Sequence, residues 1–322
     1  MRPVAAPHAS AESERLLTHR LAAKGWEVPD PAFHPLVAEA WSAANAIYSQ
    51  VLETPLQLAP WLAERAAGGC CVHLKMETLQ ATGSFKARGA AHKLLSAQPA
   101  ALARGVHAAS AGSHALAVLH AAAAVASRDT SSGVDGVKVT IHLPAGSHPA
   151  AADRLRALGA EVVPSAAAGA EDAEAEARAA AAEQGGVFVS AFNDVAVAGA
   201  QGTVALELLM QAERSHLDAV FVPVGGGGLA AGVAAVLKAA APHVHVVGCQ
   251  PEGGDAMARS VAAGRAMRLP EGSAGVLAEG MEGSGGIQEG SVTLEPCMRV
   301  RCCAVCCPVP AALFHLRPAP CL

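Results

Sequence analysis

From Val72 to Cys249 the sequence alternates short β-rich runs with longer alanine-rich segments, and this alternation limits the fold more than any other feature. The pattern predicts strands at Val72–Met76, Val106–Ser110, Val137–Leu143, Glu161–Val163, Val187–Ser190, Ala219–Val224 and Val244–Gly248. Between them it predicts helices near Lys86–Ala97, His114–Ala126, His148–Leu158, Ala170–Glu183, Gly199–Arg214 and Leu229–Ala240. Strands separated by helices join as parallel neighbours, so the fold class is α/β, with parallel sheets covered on both faces. Ser127–Gly136 and Pro164–Gly169 read as surface loops, and an earlier helix is expected over Val37–Leu52.

A chain of 322 residues is long enough for two domains, and 52% hydrophobic residues supply a large core. A net charge of −5 and only 3% aromatic residues argue against nucleic acid and against an anionic membrane surface as partners. The longest uncharged stretch, Ala219 to Leu237, contains Pro223 and four consecutive glycines. Such backbone does not suit a lipid-facing helix, so the stretch reads as strand, turn and helix, with no membrane partner. Residues 1–35 read as an N-terminal extension without a signal-peptide apolar run, and the expected compartment is the cytoplasm. A mitochondrial or plastid destination stays open. Of nine cysteines, Cys297, Cys302, Cys303, Cys306, Cys307 and Cys321 crowd the end of the chain. Without a secretory signal no disulfide framework is expected.

Three segments carry chemistry. Lys86 lies in Lys75-Met76-Glu77-Thr78-Leu79-Gln80-Ala81-Thr82-Gly83-Ser84-Phe85-Lys86-Ala87-Arg88-Gly89-Ala90, at the mouth of a predicted helix. A solvated lysine is the simplest reading, but a cation there opposes the helix dipole. A lysine fixed in this way also suits an aldehyde cofactor held as a Schiff base. Ser110-Ala111-Gly112-Ser113-His114 follows a strand and opens a helix, so its free N–H groups form a candidate anion site. An ordinary turn with Ser113 as N-cap is the alternative. Pro223-Val224-Gly225-Gly226-Gly227-Gly228-Leu229 has the flexibility to bend into a phosphate-binding nest. The run does not fit the G-x-G-x-x-G dinucleotide fingerprint, and taken alone it equally suits a flexible turn.

The Lys86 stretch is very similar to the cofactor-lysine motif of the serine/threonine dehydratases, pyridoxal-phosphate enzymes with the tryptophan-synthase-β-like fold, fold type II. With Thr54-Pro55-Leu56 ahead of the first strand, the resemblance covers roughly Ala38 to Arg299. It implies two open parallel-sheet domains with pyridoxal 5'-phosphate in the cleft between them. Residues 36–104 and 187–299 would form a discontinuous large cofactor domain, and 105–186 a small domain. The resemblance implies that Lys86 is catalytic. It places Phe85, Lys86, Ser113, Gly225, Gly226, Gly227, Gly228, Leu229 and Gly280 around the cofactor. It places Ser84, Ser110, Ala111, Gly112, Ser113 and His114 around the substrate. Ser113 replaces the family's usual asparagine, and Ala111 stands where related racemases carry a second serine base, which favours elimination over racemisation.

In metal-dependent relatives a glutamate before a proline and a nearby aspartate bind a divalent cation. Gln250 and Ala256 occupy those positions here, with Glu252 and Asp255 out of register, so no metal site is expected. After about Arg299 the similarity stops, and 300–322 read as a Cys/Pro-rich divergent tail in which no family strand or helix is recognised. The C-terminal part of the large domain is therefore expected to be missing. Pro308, Pro310, Pro318 and Pro320 oppose regular structure there, and a soft-metal site at the paired cysteines is the alternative to an altered C-terminus.

The resemblance implies a pyridoxal-phosphate-dependent ammonia-lyase that dehydrates and deaminates L-serine or L-threonine to a 2-oxo acid and ammonia. The expected partner is a small amino-acid substrate, and a homodimer is the candidate assembly. Two other readings stand. Cysteine-synthase-like β-replacement is disfavoured by Ala87-Arg88-Gly89, because those enzymes usually carry an acidic residue just after the lysine. A catalytically weak or inactive homologue is motivated by Ser113 and the tail.

Overall fold

Among the described residues, two parallel sheets and one short antiparallel strand pair frame the fold. The computed structural model describes residues 11–65, 70–128, 136–166, 170–251, 254–268, 287, 290–298 and 301–305. The first described elements are α1 (Ala11–Ala23) and α2 (Pro35–Ala46). Pro35 suits the first turn of α2, and the His34 ring nitrogen Nδ1 accepts the Leu36 N–H at 3.1 Å. The expected helix over Val37–Leu52 stops early. The Ile47 carbonyl takes the N–H groups of both Gln50 and Val51, and the ladder tightens into a 3-10 turn at Ile47–Ser49. β1 (Leu56–Leu58), α3 (Pro60–Ala63) and β2 (His73–Lys75) follow, with β1 and β2 antiparallel and Leu56 opposite Lys75.

After α4 (Lys86–Leu95) and α5 (Pro99–Leu102) comes a four-stranded parallel sheet of order β5-β4-β3-β6. Its strands are β3 (Val106–Ala109), β4 (Val139–Leu143), β5 (Glu161–Pro164) and β6 (Val187–Phe188). The crossovers are α6 (Ser113–Arg128), α7 (Pro149–Ala157) and α8 (Ala170–Gln184). All five residues of β4 are buried, as a central parallel strand requires. α6 runs into the expected Ser127–Gly136 loop as far as Arg128. β6 pairs with β3 through Val106↔Val187, so this sheet reaches just past the expected boundary at 186.

One helix was expected over Gly199–Arg214, and two are found: α9 (Val195–Gln201) and α10 (Thr203–Gln211). The first starts early because Asp194 caps it, accepting the Val197 N–H at 3.0 Å. The break falls at Gly202, whose N–H turns to the Gly199 carbonyl at 2.8 Å, an i to i−3 bond. β7 (Ala219–Pro223), α11 (Gly228–Ala240), β8 (His245–Pro251), α12 (Ala256–Ala263), α13 (Leu294–Met298) and β9 (Arg301–Val305) follow among the described residues.

β7, β8 and β9 form the second parallel sheet in that order. This corrects two expectations. Arg301–Val305, assigned to an irregular tail, is a strand, because the outer edge of β8 offers it a ladder with Cys249 opposite Cys303 and Pro251 opposite Val305. The same pairing draws Cys249, Gln250 and Pro251 into β8, which had been expected to end at Gly248. Cys71 is disulfide-bonded, also against expectation, while Cys70, Cys249 and Cys297 are not.

The larger core gathers Leu17, Leu21, Leu36, Leu206, Leu209 and Leu237 from α1, α2, α10 and α11, with Trp26 from the segment after α1, around β7 and β8. The N-terminal segment thus contributes to that core. Full burial of each such leucine is worth about 1.5–3 kcal/mol. A second core fills the four-stranded sheet with Val106, Ile141 and Leu155. Between them a small cluster of Ala43, Ile47, Ala87, Ala91 and Ala200 packs α2, α4 and α9 together. No helix among the described residues is long and apolar enough to cross a membrane.

Candidate active site

Lys86 is the first residue of α4, and its N–H is received by the Ser84 hydroxyl at 3.3 Å. Lys86 is part-buried, and its amine donates to the Ala191 carbonyl at 2.7 Å, with the Phe85 ring centroid 5.2 Å away. Desolvation lowers its pKa from the usual lysine range to about 8, and the negative field of Glu174 opposes that drop. Such an amine is largely protonated at neutral pH yet has an accessible neutral form, the property needed to attack a carbonyl or move a proton.

The tetraglycine turn reaches the same place from the other sheet. Gly227 has φ +89°, a left-handed conformation that costs a residue with a Cβ about 1–2 kcal/mol. A Cβ on Gly226 would run into the Phe192 ring, and one on Gly227 would lie 2.5 Å from the Met257 Cε. The turn is thus a cradle that a side chain would fill. In α11 the first intrahelical bond runs from the Ala231 N–H to the Gly227 carbonyl at 2.8 Å. That leaves the N–H groups of Gly228, Leu229 and Ala230 at the positive end of the helix without helical acceptors. Thr293 steadies the turn by donating its hydroxyl to the Gly226 carbonyl at 2.9 Å. Ala191 and Phe192 are adjacent, so the lysine and the glycine turn meet on one short segment. This donor set fits a phosphorylated aldehyde: an amine on one side and a free-amide nest on the other.

The third predicted loop lies at the start of α6. The Ser110 hydroxyl accepts the Gly112 N–H at 3.0 Å, and Ala111, Gly112 and Ser113 are exposed. A Cβ on Gly112 would meet nothing within 4 Å, so the loop borders open space. His114 is instead buried and donates Nε2–H to the Val189 carbonyl at 3.0 Å. Desolvation, reinforced by the positive charge of Lys86, pushes its pKa down to about 3. It is a neutral group that ties α6 to the end of β6.

A buried ion cluster fixes α4 from behind. Arg88, fully buried, grips Glu77 through Nε at 2.8 Å and Nη2 at 2.7 Å, and Glu207 through Nη1 at 2.5 Å and Nη2 at 2.9 Å. Lys75 adds a bond to Glu207 at 2.5 Å, and the Tyr48 hydroxyl donates to it at 2.8 Å. Burial works against the Arg88 charge, but the two carboxylates outweigh it and hold its pKa above the usual value.

Sequence reasoning singled out Ser84, Phe85, Lys86, the 110–114 loop and the glycine turn. It missed Ala191, Phe192, Asn193 and Glu174, which sit between them. The available signal was the Asn193-Asp194 pair, a helix-cap pattern directly before α9. Gly280 lies outside the described residues. Gln250 donates to the Gly254 carbonyl at 3.2 Å and accepts the Ala258 N–H at 2.8 Å, so its amide serves the start of α12.

The profile of the family described as pyridoxal-phosphate dependent enzyme matches residues 47–300. The biosynthetic L-threonine dehydratase of Burkholderia multivorans is 41% identical over 236 residues, which cover 73% of this chain and 44% of that protein. The L-threonine ammonia-lyase of Thermotoga maritima is 38% identical over 227 residues, 70% of this chain and 53% of its own length. The chain thus spans about half the length of the curated relatives it matches. Among solved structures, the crystal structure of a T.th. threonine deaminase superposes with a TM-score of 0.71 at 36% identity, covering 84% of this chain and 82% of that one. With its lysine and its glycine cradle converging on one segment, the chain belongs to the pyridoxal-phosphate dependent enzymes.

Proposed function

We propose that this chain is an ammonia-lyase that converts L-threonine or L-serine into a 2-oxo acid and ammonia, with pyridoxal 5'-phosphate as its cofactor. The observation that carries the reading is the meeting of the Lys86 amine and the tetraglycine turn on Ala191 and Phe192. The relatives named above, a threonine dehydratase and a threonine ammonia-lyase, support this choice of substrate class.

Gly225, Gly226, Gly227, Gly228 and Leu229 would hold the cofactor phosphate through amide N–H groups. Phe85, Ser113 and Gly280 would flank the ring. When bound, pyridoxal phosphate supplies an electron-withdrawing ring that accommodates the electron pair released at the substrate Cα. Ser110, Ala111, Gly112 and Ser113 would receive the substrate carboxylate at the start of α6, with Ser84 and His114 shaping the same side. Lys86, with its lowered pKa, would take the proton from Cα. Orientation by the two anion sites lets one lysine act on one carbon with little loss of entropy at the moment of reaction.

Incubating the full chain with pyridoxal phosphate and either amino acid, and measuring 2-oxo acid, tests the activity directly. K86A is expected to lower the rate by about 10²–10⁴-fold, the range for a lost acid–base group. Borohydride reduction followed by peptide mapping should place the pyridoxyl label on Lys86. A label elsewhere, or no 2-oxo acid from either substrate, ends the reading.

The assembly we propose is a homodimer. It is supported by large apolar side chains left exposed close together in sequence: Leu52, Leu58, Trp61, Leu74 and Leu79. Light scattering that gives a monomer's mass across concentrations would refute it. We place the protein in the cytoplasm, a reading that cell fractionation checks.

A further inference from the structure

We propose that Glu174, on α8 of the four-stranded sheet, is a positioning residue for Lys86: its carboxylate anchors the Ser190–Asp194 segment on which the lysine amine rests. The proposal rests on Lys86 being the reactive lysine, as set out above, and assigns to it a residue from α8 of the four-stranded sheet.

The geometry forms a closed path. Glu174 Oε1 accepts the Ser190 hydroxyl at 2.8 Å, and the Ser190 oxygen in turn accepts the Asn193 N–H at 3.0 Å. Between those residues, the Ala191 carbonyl receives the Lys86 amine at 2.7 Å. The far end of the segment is pinned as well. Asn193 Oδ1 accepts the Val292 N–H at 3.0 Å, and Asp194 pairs with Lys93 of α4 at 2.6 Å. Phe192, in the middle, stands against Gly226 and Gly228 of the glycine turn. Glu174 is therefore a side-chain anchor through which α8 of the four-stranded sheet holds the segment shared by the lysine and the cradle.

Its other partner does not account for its burial. The Glu174 side chain is 12% exposed, whereas Arg178, which pairs with it at 3.1 Å, is 53% exposed and also lies over the Phe188 ring at 4.4 Å. An exposed pair of this kind contributes little to stability. Among the described residues, two charged or titratable groups face the amine across the site: Glu174 on α8, whose field favours the protonated form, and His114 on α6, held neutral. Glu174 thus both fixes the carbonyl that receives the amine and stabilises its charge.

The test uses the full chain stripped of pyridoxal phosphate. Acetylation of Lys86 by acetic anhydride is followed across pH by peptide mass mapping, with circular dichroism to confirm folding. The wild-type midpoint is expected near 8. E174Q keeps an acceptor for Ser190 but removes the charge, and should lower the midpoint by roughly half a pH unit or more. S190A keeps the charge but frees the segment, and should accelerate labelling several-fold with little change in midpoint. A folded E174Q with an unchanged midpoint, together with an S190A that labels at the wild-type rate, would overturn the proposal, because a purely structural role changes neither. If E174Q does not fold, E174D decides: it draws the carboxylate back from Ser190, so faster labelling or a moved midpoint supports the assignment and wild-type behaviour refutes it. Failure of the wild type to take up pyridoxal phosphate would instead defeat the proposed function, and would leave the labelling result intact.

Discussion

Beneath α4 and within the four-stranded sheet the protein buries polar side chains in opposite ways. Under α4, Arg88, Lys75, Glu77 and Glu207 balance two positive charges against two negative ones, and each meets a partner of opposite sign. Thr54 adds bonds to both carboxylates, its N–H to Glu207 at 3.2 Å and its hydroxyl to Glu77 at 2.6 Å. In the sheet, His107 and His142 lie with ring centroids 5.8 Å apart, and His107 Nδ1 and both nitrogens of His142 have no hydrogen-bond partner. Permanent charges must be paired to be buried at all, whereas an imidazole escapes the cost by staying neutral. The first arrangement holds the turn from Glu77 to Lys86 in one geometry under any ordinary condition. The second is sound only while its protons stay off.

Breaking the paired cluster should have the largest effect. Arg88→Met leaves Glu77 and Glu207 buried without their main partner, a loss of about 3–5 kcal/mol. That is a large share of the roughly 5–15 kcal/mol that ordinarily separates folded from unfolded chains. Urea unfolding should show a markedly lower midpoint, and a midpoint within error of wild type would mean the cluster does not hold the structure together. Arg88→Lys should recover only part of the loss, because an ammonium cannot grip two carboxylates with a planar fork.

The glycine cradle comes next in size. Gly227→Ala forces a left-handed conformation on a residue with a Cβ and presses that Cβ toward Met257 and Thr293. The backbone strain alone is about 1–2 kcal/mol. Binding of pyridoxal phosphate, followed by fluorescence, should weaken by more than the stability loss explains, because the phosphate-facing amides shift with the turn. Equal binding by variant and wild type would separate the cradle from the cofactor.

Much of this frame was legible in the sequence because it rests on local pattern. The short apolar strand runs at 106, 139 and 219, the Gly225–Gly228 turn and the Lys86 helix start all reflect neighbouring residues acting on one another. What was missed depends on contacts across long separations. Glu207 belongs with Arg88 across 119 positions and Glu174 with Ser190 across 16, and neither separation leaves a periodic trace. β9 was missed because Arg301-Cys302-Cys303-Ala304-Val305 has no strong strand signal of its own, and its pairing comes from the open edge of β8. The α9–α10 break was missed because Gly202 inside an alanine-rich run resembles an ordinary helix position. The Asp194 cap, by contrast, was visible and went unused.

The histidine pair offers the smallest and most selective test. Burial lowers the pKa of His142, its neighbour His107 lowers it further, and Glu176 and Glu161 pull weakly the other way. His107 is lowered as well, again by burial first, with Lys138 reinforcing it and Gln184 and Glu161 opposing. A folded pKa below the unfolded value means that the unfolded chain binds protons first as the solution is acidified. Stability is therefore whole above the ordinary histidine value and falls as pH drops through it towards the lowered one. His142→Leu removes two unpartnered nitrogens and one proton acceptor while keeping a side chain of similar bulk. It should raise stability by about 1 kcal/mol, with most of the gain below about pH 6.5. Thermal unfolding at about pH 5.5 and about pH 8, either side of the ordinary histidine value, reads the difference. The wild type should lose more stability between the two than the variant does. If both lose the same amount, the acid sensitivity of the sheet lies elsewhere, and the contrast with the paired cluster under α4 would rest on the unmet hydrogen bonds alone.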